Sequence, residues 1–467
     1  MLLTAIIIYL LITVAIGAWS SKLVKNSNDF VLAGRQLPLF LSASALFATW
    51  FGSETIFGAS SEYLENGLLG VIEDPFGGAL CLILFGRFFL RPMYRMNVLT
   101  IGDVYKRIFG KKVEFFASIF MVPVYFGYVA AQLVALALIF TTVADISITQ
   151  GIILSAAIVV FYTFLGGMWA ISITDFIQTT FIVIGLVWVA VLVAQKAGGI
   201  SPILDSAPEG SFQFIPDAKV LDWTNYIGAW IILGLGSIPS QDIYQRVMSS
   251  KSEKVAVQST YLAGTFYVTI GLLPLFIALG AKHLYPEIYL ENKQLLLPEM
   301  VLRHSGLHVQ ILFFGALISA IMSTTSAGLL APSAIVSENL IRPYFGGKLK
   351  DKHFLWILRF NIVSIAIIST IMAQWKSNIY ELVAGASILM LVSLFVPLVA
   401  GLYWKKASEM GALMSIVFGM IAYMGLSSFE LPFYPHLPAL IVSAVMMVVG
   451  SFIFPKNKEI HASISQN

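Results

Sequence analysis

The sequence has little charge and very little chemistry of the kind that soluble enzymes use. Asp, Glu, Lys and Arg make up 11% of its 467 residues, whereas 58% are hydrophobic. An ordinary soluble domain carries about 25% charged residues, so a soluble fold is excluded. Cys81 is the single cysteine, which excludes an intrachain disulfide.

The six histidines fall in predicted loops, helix ends or the C-terminal tail. This placement excludes a histidine metal cage or a histidine proton relay at the middle of a membrane. Asp and Glu are scattered, so they form no convincing pair with a nucleophile. The sequence therefore does not predict an enzyme.

Long apolar runs are what the chain has in abundance. A membrane-spanning helix needs about 20 apolar residues, and the runs predict an all-α integral membrane protein with about 13 transmembrane helices. Residues 1–455 are predicted to form a single transmembrane transporter domain, and residues 456–467 a polar cytoplasmic tail. The predicted spans are 2–20, 38–62, 67–90, 113–142, 148–165, 167–195, 224–246, 254–281, 307–340, 354–375, 377–403, 409–427 and 434–455.

Basic residues are concentrated in the loops on one side of this predicted bundle. That side, together with the tail, carries 21 of the 28 Lys and Arg. Cytoplasmic loops are enriched in Lys and Arg, so the N-terminus is predicted outside and the C-terminus inside. These loops beside anionic headgroups also explain the net charge of +3, and no soluble basic module predicts binding to nucleic acid.

Two spans, the second and the seventh, are interrupted by Gly, Pro and small polar residues. They lie in residues 40–58 and 230–246. Helix-breaking backbone at membrane depth is tolerated where it lines a buried or watery cavity. The two spans stand five apart, as the first helices of two inverted five-helix repeats do. The pattern predicts a transporter, with spans 2–6 (about 38–195) and spans 7–11 (about 224–403) as the repeats.

The break in span 2 and the middle of span 9 both offer oxygen ligands. An unwound turn within residues 48–54 frees backbone carbonyls, which suit a small cation; the alternative is a Ser/Gly seam for helix packing. Span 9 has four consecutive hydroxyl residues, 323–326. The Ser323 and Thr324 hydroxyls and the Ala320 carbonyl could supply about half of the ligands of a Na⁺ ion. The alternative is that these hydroxyls bond to the preceding turn.

Several motifs, in this order and spacing, resemble the sodium:solute symporter family over essentially the full chain. The resemblance is nearest to choline-type and proline-type members. It implies a LeuT-like fold of 5+5 inverted repeats and Na⁺ symport by alternating access. The motifs are DFVLAGR at 29–35, YTFLGGMWA at 162–170, TDFIQ at 174–178, GSIPSQ with QR at 236–246, AIMST at 320–324 and GL, K and GA within 401–412.

The resemblance also implies ion-binding residues. The family's main Na⁺ site corresponds to backbone oxygens of Ala48, Phe51 and Ala320 with the Ser323 and Thr324 hydroxyls.

A second Na⁺ site, present in some members, would use Asp175 and Ser326, but Ala327 replaces a further hydroxyl of that site. Asp175 lies within apolar sequence, where carboxylates are functional by default. It serves either ion coupling or structure, for example by pairing with Arg246.

The substrate site is expected beside the break in span 2. Its carboxylates and aromatic rings suit an amine or quaternary ammonium group, through charge pairing and cation–π contact. Gly78 and Ser240 stand where a choline transporter is expected to have aromatic cage residues, so a small amino acid or another amino-bearing solute is preferred. Sugars, sialic acid, pantothenate, urea and short carboxylates stay open. The candidate residues are Trp50, Ser53, Glu54, Glu73, Asp74, Phe76, Tyr125, Tyr128, Gln132, Ser240 and Gln241.

The sequence thus predicts a Na⁺-coupled secondary active symporter that imports a small organic solute, such as proline or a choline-like compound. It is expected to act as a monomer in the plasma membrane, and its short termini and lack of glycosylation sites on outer loops favour a bacterial inner membrane. Two alternatives stay open. One is a H⁺-coupled symporter of the same fold with Asp175 as the proton carrier, and the other is a transporter-like solute sensor.

Overall fold

The computed structural model describes residues 1–144, 146–291, 293, 295–345, 349–375 and 379–455. Over these residues the regular structure is helical, without a β-strand. Ten helical segments are long and apolar enough to cross a membrane, which confirms an all-helical membrane protein. The predicted tail, 456–467, lies outside the described residues.

The first part of the chain mixes long helices with short ones. Helix starts are capped locally: the Thr100 hydroxyl accepts from the Asp103 N–H, and the Asp103 carboxylate accepts from the Thr100 N–H. Helices α1 to α9 are Leu2–Ser20, Ser27–Leu32, Leu39–Trp50, Ala59–Asn66, Gly78–Leu84, Leu90–Met96, Ile101–Phe109, Lys111–Met121 and Val124–Ala144.

The second part begins with a helix of 49 residues that turns sharply in its middle. At Gly167 the backbone has φ 51° and ψ −141°, and a Cβ there would lie 2.4 Å from the carbonyl oxygen of Phe30. Only glycine suits that place, which is where spans 5 and 6 were predicted to meet. Helices α10 to α22 are Ile148–Lys196, Ile200–Asp205, Val220–Gly236, Gln241–Met248, Glu253–Leu284, Pro286–Glu291, Leu296–His304, Leu307–Ile335, Asp351–Ala373, Ile379–Met390, Val396–Tyr403, Glu409–Leu426 and His436–Ile453.

Both spans that were predicted to be interrupted are broken in the structure. Helix α3 ends at Trp50, Phe51 leaves the helical region with φ −75° and ψ 75°, and a π-helical turn at Glu54–Gly58 leads into α4. Helix α12 ends at Gly236, and α13 starts at Gln241 after a segment that contains Pro239. The lack of an N–H on proline favours such an interruption.

The broken helices lie inside the bundle and the terminal helices lie outside it. The middle of α17, from Phe313 to Ile335, is almost wholly buried. In contrast, α1 and α22 expose large apolar side chains, with Leu11 62% and Ile441 64% exposed. Helices satisfy their own backbone polar groups, so these apolar surfaces suit contact with lipid.

One end of the bundle ties the two broken helices together. The Leu37 N–H donates to Ser249 O (3.0 Å), and the Lys251 N–H donates to Leu37 O (3.0 Å). The Ser250 hydroxyl donates to the Ser42 hydroxyl (3.0 Å). The start of α3 is thus fixed to the end of α13.

Candidate functional site

The break after α3 leaves carbonyl groups without helical partners, as any helix C-terminus does. Hydroxyl groups from other helices meet these carbonyls. Thr49 O accepts from the Tyr128 hydroxyl of α9 (2.8 Å), and Trp50 O lies 3.0 Å from the Tyr267 hydroxyl oxygen of α14. Ala48 O faces α17 instead. The break therefore stands where four helices meet.

The oxygens around Ala48 form a compact group that includes most of the predicted Na⁺ ligands. Ala48 O lies 3.0 Å from Ser323 Oγ and 3.1 Å from Thr324 Oγ1. Thr324 Oγ1 is also 3.1 Å from Ala320 O. All four residues are fully buried. Neutral oxygens at the end of a half-helix are the ligands that transporters use for Na⁺. This group of carbonyl and hydroxyl oxygens therefore fits that ion.

Phe51, the remaining predicted ligand, lies in the break itself and is also fully buried. Its ring stacks on Phe47, with the ring centres 4.7 Å apart. This contact fixes the backbone turn that follows the Ala48 oxygens.

Asp175 joins the oxygen group through Ser323. Its Oδ1 accepts a hydrogen bond from Ser323 Oγ, and its Oδ2 is buried with no hydrogen-bond partner in the described part of the chain. Ser326, in contrast, donates to Ser323 O of its own helix (2.8 Å). The carboxylate is therefore beside the ion ligands, whereas the Ser326 hydroxyl is used within α17.

Arg246 does not pair with Asp175. The guanidinium is fully buried, and over the described residues its three nitrogens find no hydrogen-bond partner. No ion pair joins the two residues, both of which are described. The ion pair with Arg246 that was considered as a structural role for Asp175 is not formed in this conformation.

A small cavity lies next to the break in α3. Its free space is about 30 Å³, room for about two water molecules, so an organic solute enters only when the surrounding helices move apart. Aromatic, acidic, hydroxyl and apolar side chains share its wall, but no Lys, Arg or His of the described residues does. The lining residues are Trp50, Glu54, Val124, Tyr125, Tyr128, Leu233, Ser237, Ser240, Asp242, Tyr267, Val383, Ala386, Ser387 and Met390.

Asp242 is one of two carboxylates at this cavity. Its Oδ2 accepts from Trp50 Nε1 (2.8 Å), and its Oδ1 accepts from the Tyr125 hydroxyl (2.8 Å). The Tyr125 oxygen in turn accepts from the N–H groups of Gln241 (2.9 Å) and Asp242 (3.2 Å). Asp242 lies in the first turn of α13, where the helix dipole stabilises a negative charge.

Glu54 is the second carboxylate, and it is held by α9. Its Oε2 accepts from Gln132 Nε2 (2.7 Å), while Gln132 Oε1 accepts from the Ser53 N–H (3.0 Å). The Ser53 hydroxyl lies 3.5 Å from Glu54 Oε2. Glu54 is 3% exposed and Asp242 is 2% exposed, so both charges depend on neutral neighbours.

The predicted substrate residues divide into three groups. Trp50, Glu54, Tyr125, Tyr128 and Ser240 line the cavity. Ser53, Asp74 and Gln132 stand behind it and position lining residues; Asp74 Oδ1 accepts from the Tyr267 hydroxyl (2.7 Å).

Phe76, Gln241 and Glu73 do not line the cavity. Phe76 packs against Phe214, with ring centres 4.9 Å apart. Gln241 Oε1 accepts from the Ile101 N–H (2.8 Å) and so caps the start of α7. Glu73 is buried beside Asp74 but is absent from the cavity wall.

Nine of the fourteen lining residues were not predicted from the sequence, and two of them, Asp242 and Tyr267, contact the residues at the breaks. Asp242 could have been predicted, because a carboxyl group directly after the break in span 7 is an intramembrane acidic group, which marks a candidate functional residue. Tyr267 could not have been predicted: it is one tyrosine in the unbroken apolar helix α14, and only the packing brings it to the break.

Comparison with known proteins gives matches over nearly the whole chain. The family model for the sodium:solute symporter family matches residues 30–419. The high-affinity choline transporter 1 of Drosophila melanogaster is 28% identical over 419 residues, which cover 86% of this chain and 67% of that protein. The osmoregulated proline transporter OpuE of Bacillus subtilis (strain 168) is 25% identical over 469 residues, which cover 96% and 93%.

Among solved structures, a Na⁺-coupled sialic acid symporter in an outward-open, substrate-bound state is similar throughout. The TM-score is 0.85, with 98% of each chain covered and 17% sequence identity. At that identity the likeness speaks for the fold alone. The fold is that of the LeuT-like Na⁺ symporters.

Proposed function

The chain belongs to the sodium:solute symporter family and is a multi-pass protein of the plasma membrane; from that premise we propose that it imports a small amino-bearing solute together with Na⁺. Its relatives are transporters and not enzymes. One observation carries the proposal. The break after α3 turns Ala48 O toward the hydroxyls of α17, while Trp50 and Glu54 line the adjoining cavity.

We propose thirteen spans, with the N-terminus outside and the C-terminus inside. The ten long segments include α10, whose two arms on either side of Gly167 each have the length of a span. The broken pairs α3–α4 and α12–α13 supply two more spans. Residues 1–455 would be one transporter domain with inverted repeats over about 38–195 and about 224–403, and the basic loops set the orientation.

The proposed Na⁺ site consists of Ala48, Phe51, Ala320, Ser323 and Thr324. The site is supported by the convergence of the Ser323 and Thr324 hydroxyls on Ala48 O and by the contact of Thr324 Oγ1 with Ala320 O. Asp175 adds negative charge beside it through Ser323. Support for a second Na⁺ at Asp175 and Ser326 is weaker, since the Ser326 hydroxyl donates to its own helix.

The proposed solute is an amino acid or an amine, such as proline or a choline-like compound. Two carboxylates and four aromatic rings line the cavity, without a basic residue among the described ones. Such a wall attracts an ammonium group by charge and by cation–π contact. The names of the relatives, choline and proline transporters, agree with this class. We propose that the protein works as a monomer, in a bacterial inner membrane.

Uptake into proteoliposomes tests the function. Radiolabelled amino acids, choline, betaine, sugars and carboxylates are offered with an inward Na⁺ gradient, and then with K⁺ in place of Na⁺. We expect accumulation of one amino-bearing class with Na⁺ only. Uptake that ignores Na⁺ but follows a pH gradient would establish H⁺ coupling, and saturable binding without uptake would establish a sensor.

A further inference from the structure

Two buried carboxylates face the one cavity from the two different broken helices. Glu54 follows the break after α3, and Asp242 follows the break before α13. In the described part of the chain neither carboxylate forms an ion pair. Buried charges that lack a partner are costly. The cavity wall therefore presents two carboxyl groups whose oxygens a cationic solute can contact.

The two carboxylates are anchored two helical turns apart. Asp242 is held by Tyr125 and Glu54 by Gln132 (2.8 and 2.7 Å), and these anchors are seven residues apart on α9. Seven residues rise by about 10 Å. Tyr128, which lies between the anchors on the same helix, also lines the cavity. The anchors of the two carboxylates thus lie at two levels along α9.

Each carboxylate keeps room for a further donor. A carboxylate offers about four lone-pair sites, and Asp242 uses one on each oxygen, for Trp50 and Tyr125. Glu54 uses Oε2 for Gln132 and Ser53. An ammonium group can therefore bind without displacing the neutral side chains that position the acids.

Part of the cavity wall is suited to a hydrocarbon chain. Val124, Leu233 and Met390 are apolar, and Trp50 and Tyr128 offer aromatic faces. After about 3 Å is allowed for each ammonium–carboxylate contact, roughly 4 Å of the rise between the two anchors stays for a short hydrocarbon chain. A zwitterionic amino acid would bring a third carboxylate into this wall, and a single ammonium would leave one charge unbalanced.

Resting on the Na⁺ symport proposed above, and narrowing its amino-bearing solutes to amines with two cationic ends, we propose that the solute is a linear aliphatic diamine that carries an ammonium group at each end. Glu54 binds one end and Asp242 binds the other. Asp242 thereby determines specificity: it selects dications over monoamines and amino acids of equal length.

Four radiolabelled solutes test this in proteoliposomes: 1,4-diaminobutane, 1-aminobutane, 4-aminobutanoate and choline, each with Na⁺ and with K⁺. We expect Na⁺-driven uptake of 1,4-diaminobutane at a half-saturating concentration at least tenfold below that of 1-aminobutane, and little uptake of 4-aminobutanoate. Preference for any of the other three solutes, or uptake of none of the four, would overturn the proposal that the substrate is a diamine. Na⁺-driven uptake of another solute would leave the symport intact, whereas diamine uptake that ignores Na⁺ would overturn the symport and keep the diamine.

Variants make the assignment to Asp242 specific. Asp242→Asn should raise the half-saturating concentration of 1,4-diaminobutane at least tenfold and that of 1-aminobutane less than threefold, while Asp242→Glu restores the preference. The matched control is Glu209→Gln, because Glu209 is exposed in a loop far along the chain from both breaks. If Asp242→Asn weakens both solutes equally, Asp242 only supports the structure, and the two-ended site is wrong.

Discussion

The two broken helices present opposite polar groups at their breaks. After α3 the free groups are carbonyls, of which Ala48 O faces the hydroxyls of α17 and Thr49 O accepts from Tyr128. Before α13 the free groups are N–H groups, and those of Gln241 and Asp242 donate to the Tyr125 oxygen. The first break is therefore suited to a cation, and the second stabilises an anionic side chain.

Helix α9 serves both breaks with the same residue type. The Tyr128 hydroxyl donates at the first break, whereas the Tyr125 oxygen accepts at the second. A hydroxyl can do either. The difference teaches that a tyrosine near a break cannot be assigned a role from the sequence until the direction of the broken helix is known.

The largest effect is expected from Gly52→Ala, which damages the first break. A Cβ at Gly52 would lie 2.7 Å from Thr324 Oγ1, 2.8 Å from Gln132 Oε1 and 3.0 Å from Glu54 Oε2. Ion ligands and cavity would both shift, so uptake should fall below about 1% of wild type, a loss of about 2.7 kcal/mol. Initial uptake rates at equal protein content measure this. The control is Gly315→Ala, because no atom lies within 4 Å of a Cβ there. Equal activity of both variants would show that the close contacts around Gly52 do not limit uptake.

The next largest effect is expected from Ser323→Ala and Thr324→Ala, which remove hydroxyls from the first break. A hydrogen bond to a charged group contributes about 1.5–3 kcal/mol, so the Na⁺ concentration for half-maximal uptake should rise by about 30-fold. Na⁺ titration of uptake measures it. Thr325→Ala is the control, since that hydroxyl donates to Ile321 O of its own helix. Unchanged Na⁺ dependence in Ser323→Ala and Thr324→Ala would show that Na⁺ does not bind at this site.

Trp50→Phe tests the second break separately, because it removes the N–H group that donates to Asp242 and keeps an aromatic ring. We expect the half-saturating solute concentration to rise about tenfold, at the low end of the range for a charged hydrogen bond. Na⁺ dependence should stay within about threefold of wild type. Competition and Na⁺ titration on the same vesicles measure both. A change in Na⁺ dependence as large as that in solute affinity would show that the breaks are not separable.

The smallest effect is expected from Tyr128→Phe. It removes the donor to Thr49 O, a neutral hydrogen bond that contributes about 1 kcal/mol, so uptake should fall about fivefold. Tyr434→Phe is a suitable control, as its ring stacks on His436 at the edge of the bundle. A fall as large as that of Gly52→Ala would mean that Thr49 O is itself an ion ligand.

Features that depend on local sequence were predictable. A break is visible as Gly and Pro, and the hydroxyl cluster is visible as four consecutive residues, so residues 48–54 and 323–326 could both be selected from the sequence; in the structure they are in contact through Ala48 O. Trp50 and Glu54, which line the cavity, lie in the first of these segments, whereas Tyr128 was selected from span 4 for its predicted position beside the break. The turn at Gly167 was found as a boundary between apolar runs.

Features that depend on packing were not predictable. Tyr267 reaches Trp50 O only because α14 packs against α3. Gln241 and Asp242 are adjacent in one motif, yet Gln241 caps α7 and Asp242 faces the cavity. Successive residues of a helix point in directions about 100° apart, so a motif does not say which of its members reaches a site.

The backbone pairing of Leu37 with Ser249 and Lys251 has a mechanical consequence. It joins the helix that carries the Ala48 oxygens to the helix that carries Asp242. Any movement of α3 must move α13 as well, or break the two hydrogen bonds. The tie therefore transmits a displacement of the proposed ion ligands to the cavity wall, and the reverse.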